Sequence, residues 1–137
     1  GLGDVYKRQL KKKVIKDQTS ADMRYLYNWN GLKGSGRSAQ VEGFHVGGKT
    51  GTADKVINGR YAKDINFNAF VAAFPMDKPR YVALSIIDAP ISGEHGGRTA
   101  ASTAAPMMKQ IIGRTAALLG VTPRFGDPDA QTLLVNY

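Results

Sequence analysis

The stretch Gly43-Phe44-His45-Val46-Gly47-Gly48-Lys49-Thr50-Gly51-Thr52-Ala53 decides the fold of this chain. A lysine and two threonines stand among glycines, with apolar residues to either side. Glycine lets a backbone come close to a ligand because no Cβ intervenes. An ammonium and two hydroxyls beside such a backbone make an anion-binding edge. The question is whether these residues form a loop that opens a helix or one extended strand. The first answer implies a nucleotide-binding α/β unit, the second an antiparallel sheet.

Residues 43–50 satisfy the phosphate-loop pattern G-x-x-x-x-G-K-[ST] letter for letter. The same residues contain Lys49-Thr50-Gly51, a triplet that also marks one wall of serine acyl-transfer sites. A phosphate loop needs a hydrophobic strand before its first glycine and a helix directly after its Lys-Thr. Gly34-Ser35-Gly36-Arg37-Ser38-Ala39-Gln40-Val41-Glu42 makes no apolar strand, and Thr50 is followed by Gly51 and Thr52. Glycine and threonine are poor residues for a first helical turn. The stretch therefore reads as a strand from Phe44 to Lys55, with Lys49 midway. The alternative reading, a phosphate-loop nucleotide-binding module, requires a helix that starts at Lys49.

Outward from this strand, Thr19-Ser20-Ala21-Asp22 offers a capping threonine with an acid three residues on. Met23, Leu26, Tyr27 and Asn30 follow at helical spacing, which predicts a helix over 20–30. Trp29 reads as a packing residue. Val14-Ile15 reads as a short extended piece. Gly31 to Glu42 is a polar loop; its Gly34-Ser35-Gly36-Arg37-Ser38-Ala39 resembles half of a dinucleotide fingerprint but follows a helix rather than a strand, which discounts it. Beyond the central strand, Asn58-Gly59 is a turn signal within a loop over 56–64. Strands are predicted over 66–74 and 81–88, joined by Met76-Asp77-Lys78-Pro79. Short connections favour an antiparallel meander. A second helix is predicted over 99–119, with an apolar stripe of Ala104, Met108, Ile111, Ile112, Thr115, Leu118 and Leu119. Pro106 either sits in its first turn or kinks it. Gly120 is its stop signal.

Helix, three strands and a closing helix define an α+β layer, an antiparallel sheet packed against helices. The second and third strands are more apolar than alternation requires, as in a sheet covered on both faces. One face is assigned to the last helix; the other needs a cover that this chain barely supplies, which predicts marginal stability for it alone. Gly1 to Gln9 shows neither periodicity nor a cap and resembles a linker-derived translation, so residues 1–9 are set apart as non-native. Residues 10–120 form the domain piece, and 121–137 read as a flexible tail.

The 137 residues carry a net charge of +8, with Lys7, Arg8, Lys11, Lys12, Lys13 and Lys16 near the N-terminus. No aromatic ladder accompanies that run, so a nucleic-acid partner is not expected. There is no cysteine, which removes disulfides and cysteine-metal sites and fits a periplasmic protein. His45 and His95 lack metal-ligand spacing. His45 reads as pointing away from the cleft and His95 as solvent-exposed, Asp54 and Asp88 as surface or turn acids, Arg80 and Tyr81 as structural.

Taken together, Thr19-Ser20-Ala21-Asp22-Met23-Arg24, Val46-Gly47-Gly48-Lys49-Thr50-Gly51-Thr52-Ala53, Asn68-Ala69-Phe70-Val71-Ala72-Ala73-Phe74-Pro75 with Pro79-Arg80-Tyr81, and Ala104-Ala105-Pro106 resemble the C-terminal part of a penicillin-binding protein transpeptidase domain. The resemblance is greatest to the class B, division-specific peptidoglycan D,D-transpeptidases of Gram-negative bacteria and covers about Val14 to Gly120. It implies acyl transfer through a serine in an S-x-x-K motif, assisted by an S-x-N motif, from D-Ala-D-Ala stem peptides to a neighbouring amine. β-Lactams mimic the D-Ala-D-Ala end. The resemblance further implies no cofactor and no metal, division-machinery partners, and a place at the periplasmic face of the inner membrane through an N-terminal anchor outside this chain.

Carried over by position, Lys49 places positive charge at the cleft and orients the S-x-N serine and the substrate carboxylate. The resemblance implies that the Thr50 and Thr52 hydroxyls bind that carboxylate and that the Thr52 backbone N–H is an oxyanion donor. Gly51 lets the substrate lie against the strand as an added β-strand. Gly47 and Gly48 relieve crowding beside the nucleophile helix. The chain departs from the family in one respect. None of its six serines, Ser20, Ser35, Ser38, Ser85, Ser92 and Ser102, has lysine three residues later or asparagine two later. The chain alone is therefore expected to be inactive, and a noncatalytic penicillin-binding-like sensor domain is the remaining alternative.

Overall fold

A computed structural model describes residues 13–91 and 97–126. Helix α1 spans Asp17–Lys33, a short 3-10 turn Arg37–Ala39 follows, and strands β1 (Gly47–Ile57), β2 (Arg60–Phe74) and β3 (Tyr81–Asp88) precede helix α2 (Ala104–Thr115). The strands form one antiparallel sheet in the order β1-β2-β3, so the meander and the α+β class expected from sequence are what the chain builds. The segments set apart as 1–9, the loop carrying Ser92 and His95, and residues 127–137 lie outside the described residues.

β1 runs straight through Lys49 and Thr50. No helix starts there, which removes the phosphate-loop reading. The strand begins at Gly47 rather than Phe44, because Gly43 and His45 both take positive φ (83° and 45°) and break the extended chain before it. The loop expected over 56–64 is instead a tight hairpin: Asn58 and Gly59 have φ of 51° and 75°, the geometry of a type I′ turn, and Ile57 pairs with Arg60. An irregularity between Asp54 and Val56 absorbs the extra residues of β2.

The core lies on one face of the sheet. Asn68, Phe70, Ala72 and Phe74 alternate inward from β2, and Ser85 does so from β3. They meet Ala104, Ala105, Met108 and Ile112 of α2. Pro106 sits in the first turn of α2, where its missing N–H is tolerated. The expected stripe holds at Ala104, Met108 and Ile112; Ile111, Leu118 and Leu119 face outward, and Ala105 and Ala116 take the buried places. The helix expected over 99–119 is shorter, Ala104–Thr115, and Gly120 closes the turn that follows it rather than stopping the helix itself. This glycine has φ 73°, its N–H donates to Ala117 O, and the Val121 N–H reaches back to Ala116 O, the paired bonds of a Schellman motif.

The tail expected from residue 121 is docked at its first residues. Val121 is buried beside Ala116, and the Arg124 N–H donates to Gly43 O at 2.8 Å. Arg124 also pairs with Asp77. Arg80 Nη1 and Tyr81 Oη donate to Gly120 O and Leu119 O, so this pair ties the helix end to β3.

α1 differs most from expectation. It starts at Asp17, and Thr19 and Asp22 lie inside it rather than capping it; Lys16 flanks it without a side-chain cap. Its buried residues are Asn28 and Gly31, while Met23, Leu26 and Trp29 stay about half exposed. The reason is close approach: a Cβ at Gly31 would stand 2.3 Å from Val46 O. The helix thus meets β1 through a glycine and the Asn30 amide, and Met23, Leu26 and Trp29 line an open groove beside the strand instead of packing on it. The short extended piece expected at Val14-Ile15 is not a strand, and both residues are exposed.

Candidate functional site

The site is the free edge of β1. β2 occupies one edge; along the other no strand pairs among the described residues, and side-chain partners cluster at its start. There the side-chain amide of Gln40 bonds both the N–H and the C=O of Val46, as a neighbouring strand would. Next, Asn30 Nδ2 donates to Gly48 O at 2.7 Å. Backbone groups alternate edges along a strand. Since Gly48 O points away from β2, the N–H and C=O of Thr50 and Thr52 share the open side.

The same alternation separates the side chains. Thr50 and Thr52 lie in register with Phe70 and Asn68, on the face that carries α2. Lys49 belongs to the opposite face, yet its long stem bends so that Nζ donates to Thr50 O at 2.6 Å. Among the described residues no carboxylate pairs with its ammonium. Thr50 Oγ1 lies 2.8 Å from Ser35 Oγ. Ser35 in turn bonds Asn30 Oδ1 through its backbone N–H, at 3.2 Å. Thr52 Oγ1 accepts the Ala100 N–H at 2.9 Å. Lys49, Thr50, Gly51 and Thr52 are therefore brought together, and Ser35 joins them as a third hydroxyl. The sequence reading passed over Ser35 because its flanking glycines resembled a discounted nucleotide fingerprint.

The glycines of the edge divide into two kinds. A Cβ at Gly48 would stand 2.3 Å from Val71 O and 2.6 Å from the Phe70 ring, and one at Gly47 2.5 Å from Met76 Sδ. Their crowding is thus relieved within this chain. At Gly51 a Cβ would meet nothing closer than 3.9 Å. Among the described residues, then, packing does not require a glycine at position 51.

Beside Lys49 an open groove of about 590 Å³ runs between α1 and β1, lined by Met23, Leu26, Trp29, Lys33, Gly48 and others. Trp29 stacks on Tyr25 with ring centroids 6.4 Å apart at the groove's margin. The His45 ring bonds Arg124 O at 3.0 Å, away from this edge. Asp88 pairs with Lys55 at 2.7 Å, and Asp54 is held near Asn66. Among the described residues no group of three or more metal-ligating side chains occurs, and no helix is long and apolar enough to cross a membrane.

This edge, glycine-rich with hydroxyls and an ammonium against an uncovered groove, belongs to a layered α+β domain. The family model of the penicillin-binding protein transpeptidase domain matches residues 4–112. The chain belongs to that family. Stage V sporulation protein D of Bacillus subtilis is 40% identical over 114 residues, covering 83% of this chain and 17% of that protein. A probable peptidoglycan D,D-transpeptidase PenA of Neisseria meningitidis is 36% identical over 114 residues, covering 82% of this chain and 19% of the relative. Among solved structures, the transpeptidase domain of Burkholderia pseudomallei penicillin-binding protein 3 superposes with a TM-score of 0.72 at 30% identity, over 84% of this chain and 34% of that one. Penicillin-binding protein 3 of Mycobacterium tuberculosis, solved with ampicillin, gives 0.68 at 28% identity, over 84% and 27%. The chain thus spans less than a fifth of the length of these two curated relatives.

Proposed function

We propose that this chain is the substrate-binding wall of a serine-type peptidoglycan D,D-transpeptidase. The observation that carries the reading is the open edge of β1, where Thr50 and Thr52 hydroxyls, the Thr52 N–H and the Lys49 ammonium lie within four residues beside an unfilled groove. A stem peptide ending in D-Ala-D-Ala would lie along this edge as an added strand. Its terminal carboxylate would take the hydroxyls of Thr50 and Thr52, with Ser35 oriented through Thr50. Gly51, with open space where a side chain would stand, would leave room for the ligand backbone.

The nucleophile belongs to the part of the domain outside these 137 residues, seated in the groove by Lys49. Its Oγ would add to the penultimate D-Ala carbonyl while a base takes its proton. The oxyanion would form beside the Thr52 N–H, a contact of the kind whose loss raises a barrier by about 3–4 kcal/mol. Collapse expels the terminal D-Ala as an amine, leaving an acyl-serine ester. The amine of a second stem peptide then adds to the ester carbonyl, the serine leaves with a proton, and a new amide cross-links the two stems. Penicillin would enter at the first step and stay as the ester. In this reading Lys49 holds positive charge at the cleft, and the protein works in septal wall synthesis at the periplasmic face with division-machinery partners.

Fluorescent penicillin tests the proposal. The complete protein should be labelled stoichiometrically, with labelling blocked by ampicillin, and the 137-residue chain should not be labelled. Stoichiometric labelling of the chain alone would place a nucleophile within it and overturn the assignment. A complete protein that binds penicillin reversibly without acylation would make the site a sensor.

A further inference from the structure

Directly across the hairpin from Thr52 stands Asn68. It is wholly buried in the row Asn68, Phe70, Ala72, Phe74 that faces α2. Its Nδ2 donates to Arg98 O at 2.5 Å and to Thr103 Oγ1 at 2.9 Å, the two ends of the turn that leads into α2. The turn is braced internally, with Ser102 N–H and Thr103 Oγ1 both donating to Thr99 O. Ala100, in the middle of this turn, donates its N–H to Thr52 Oγ1.

The direction of that last bond matters. A hydroxyl has one hydrogen and two lone pairs, whereas a backbone N–H can only donate. Ala100 therefore fills a lone pair of Thr52 Oγ1 and leaves the hydroxyl hydrogen free. A carboxylate can only accept. A Thr52 held in this way is set as a donor. Asn68 achieves this at a cost, because its own Oδ1 has no hydrogen-bond partner among the described residues although it is buried. An apolar residue, like its row neighbours Phe70 and Ala72, would fill the place without that cost.

We infer that Asn68 is a positioning residue for acylation. By holding both ends of the Arg98–Thr103 turn it keeps the Ala100 N–H on Thr52 Oγ1, and so keeps the Thr52 hydroxyl polarised toward the carboxylate of the bound stem peptide or β-lactam. The inference rests on the transpeptidase reading of the edge.

The test uses the complete protein and the second-order rate of acylation by benzylpenicillin and by its methyl ester. Asn68→Leu removes the two anchoring bonds and the orphaned oxygen together. The variant should melt close to the parent yet acylate roughly tenfold more slowly with benzylpenicillin, with a smaller loss for the ester, which carries no anionic carboxylate. In a Thr52→Val background the same substitution should add no further loss. Asn68→Ala, measured in the same cycle, serves if the leucine does not fit. Parental rates in folded Asn68 variants, equal losses for acid and ester, or losses that multiply independently with Thr52→Val would overturn the inference and leave the transpeptidase reading standing. Failure of the unsubstituted protein to acylate would overturn both.

Discussion

The two faces of the three-stranded sheet are equally apolar in sequence and unequally covered in the structure. On the face toward α2, Phe70, Met108 and Ile112 are fully buried. On the other, Val82, Leu84 and Ile86 are 75, 60 and 47% exposed. Solvent-facing strand positions in a self-sufficient antiparallel domain are usually polar. The hydrophobicity of β3 is therefore written for a layer that the described residues do not supply, in line with the small share of its relatives that the chain spans. α1 repeats the contrast: a polar and glycine contact inward, Met23, Leu26 and Trp29 outward.

Substitutions on either side of this divide test it. The largest effect is expected at the closed face. Phe70→Ala should cost about 3–5 kcal/mol in a urea unfolding experiment, since the cavity is hemmed in by α2. A loss below about 1 kcal/mol would mean that α2 is not firmly seated. At the open edge, Thr52→Val in the complete protein should slow benzylpenicillin acylation roughly 10- to 100-fold, the effect of one hydrogen bond to a charged group; unaltered labelling would remove Thr52 from the site. The glycines sharpen the contrast further. Gly48→Ala should destabilise by about 1–3 kcal/mol because its Cβ runs into the Val71 carbonyl. Gly51→Ala should leave stability within about 0.5 kcal/mol while weakening acylation. The smallest change is expected for Leu84→Ser in the 137-residue chain, within about 0.5 kcal/mol by the same unfolding measurement. A loss of more than about 2 kcal/mol there would show that the outer face is already covered, and the contrast between the faces would fail.

What the sequence disclosed follows the same divide. The strands, the one carrying Lys49–Thr52 included, and the Asn58-Gly59 turn were legible because each rests on a local rule, alternation or a positive φ; the helix end was not, since Gly120 closes a turn five residues beyond Thr115. The packed side of α1 was not. Met23, Leu26, Tyr27 and Asn30 form a regular stripe, but the stripe does not record which side the helix turns to β1. The contact runs through Gly31, which lies off the stripe, and through the amide of Asn30, the one polar member of the stripe. Ile111 misled in the same way on α2, and Leu119 lies in the turn beyond it. Asn68 was hidden differently: alternation places it in the buried row, but nothing in a strand pattern says that its amide reaches a turn some thirty residues on. Ser35 was obscured by its glycines.

The meander has a consequence for how the wall comes into being. Each strand pairs with its neighbour in sequence, across the Asn58-Gly59 turn and the short link from Pro75 to Arg80. Contacts close in sequence form fast, because little loop entropy is lost before they are made. The Lys49–Thr52 edge can therefore zip into place from its own hairpin, ahead of any partner layer. In a complete protein the nucleophile-bearing part would then dock onto a template already in register. Errors in that docking would leave a correctly built edge facing an empty groove, so assembly of the active site would be limited by encounter between layers and not by the sheet.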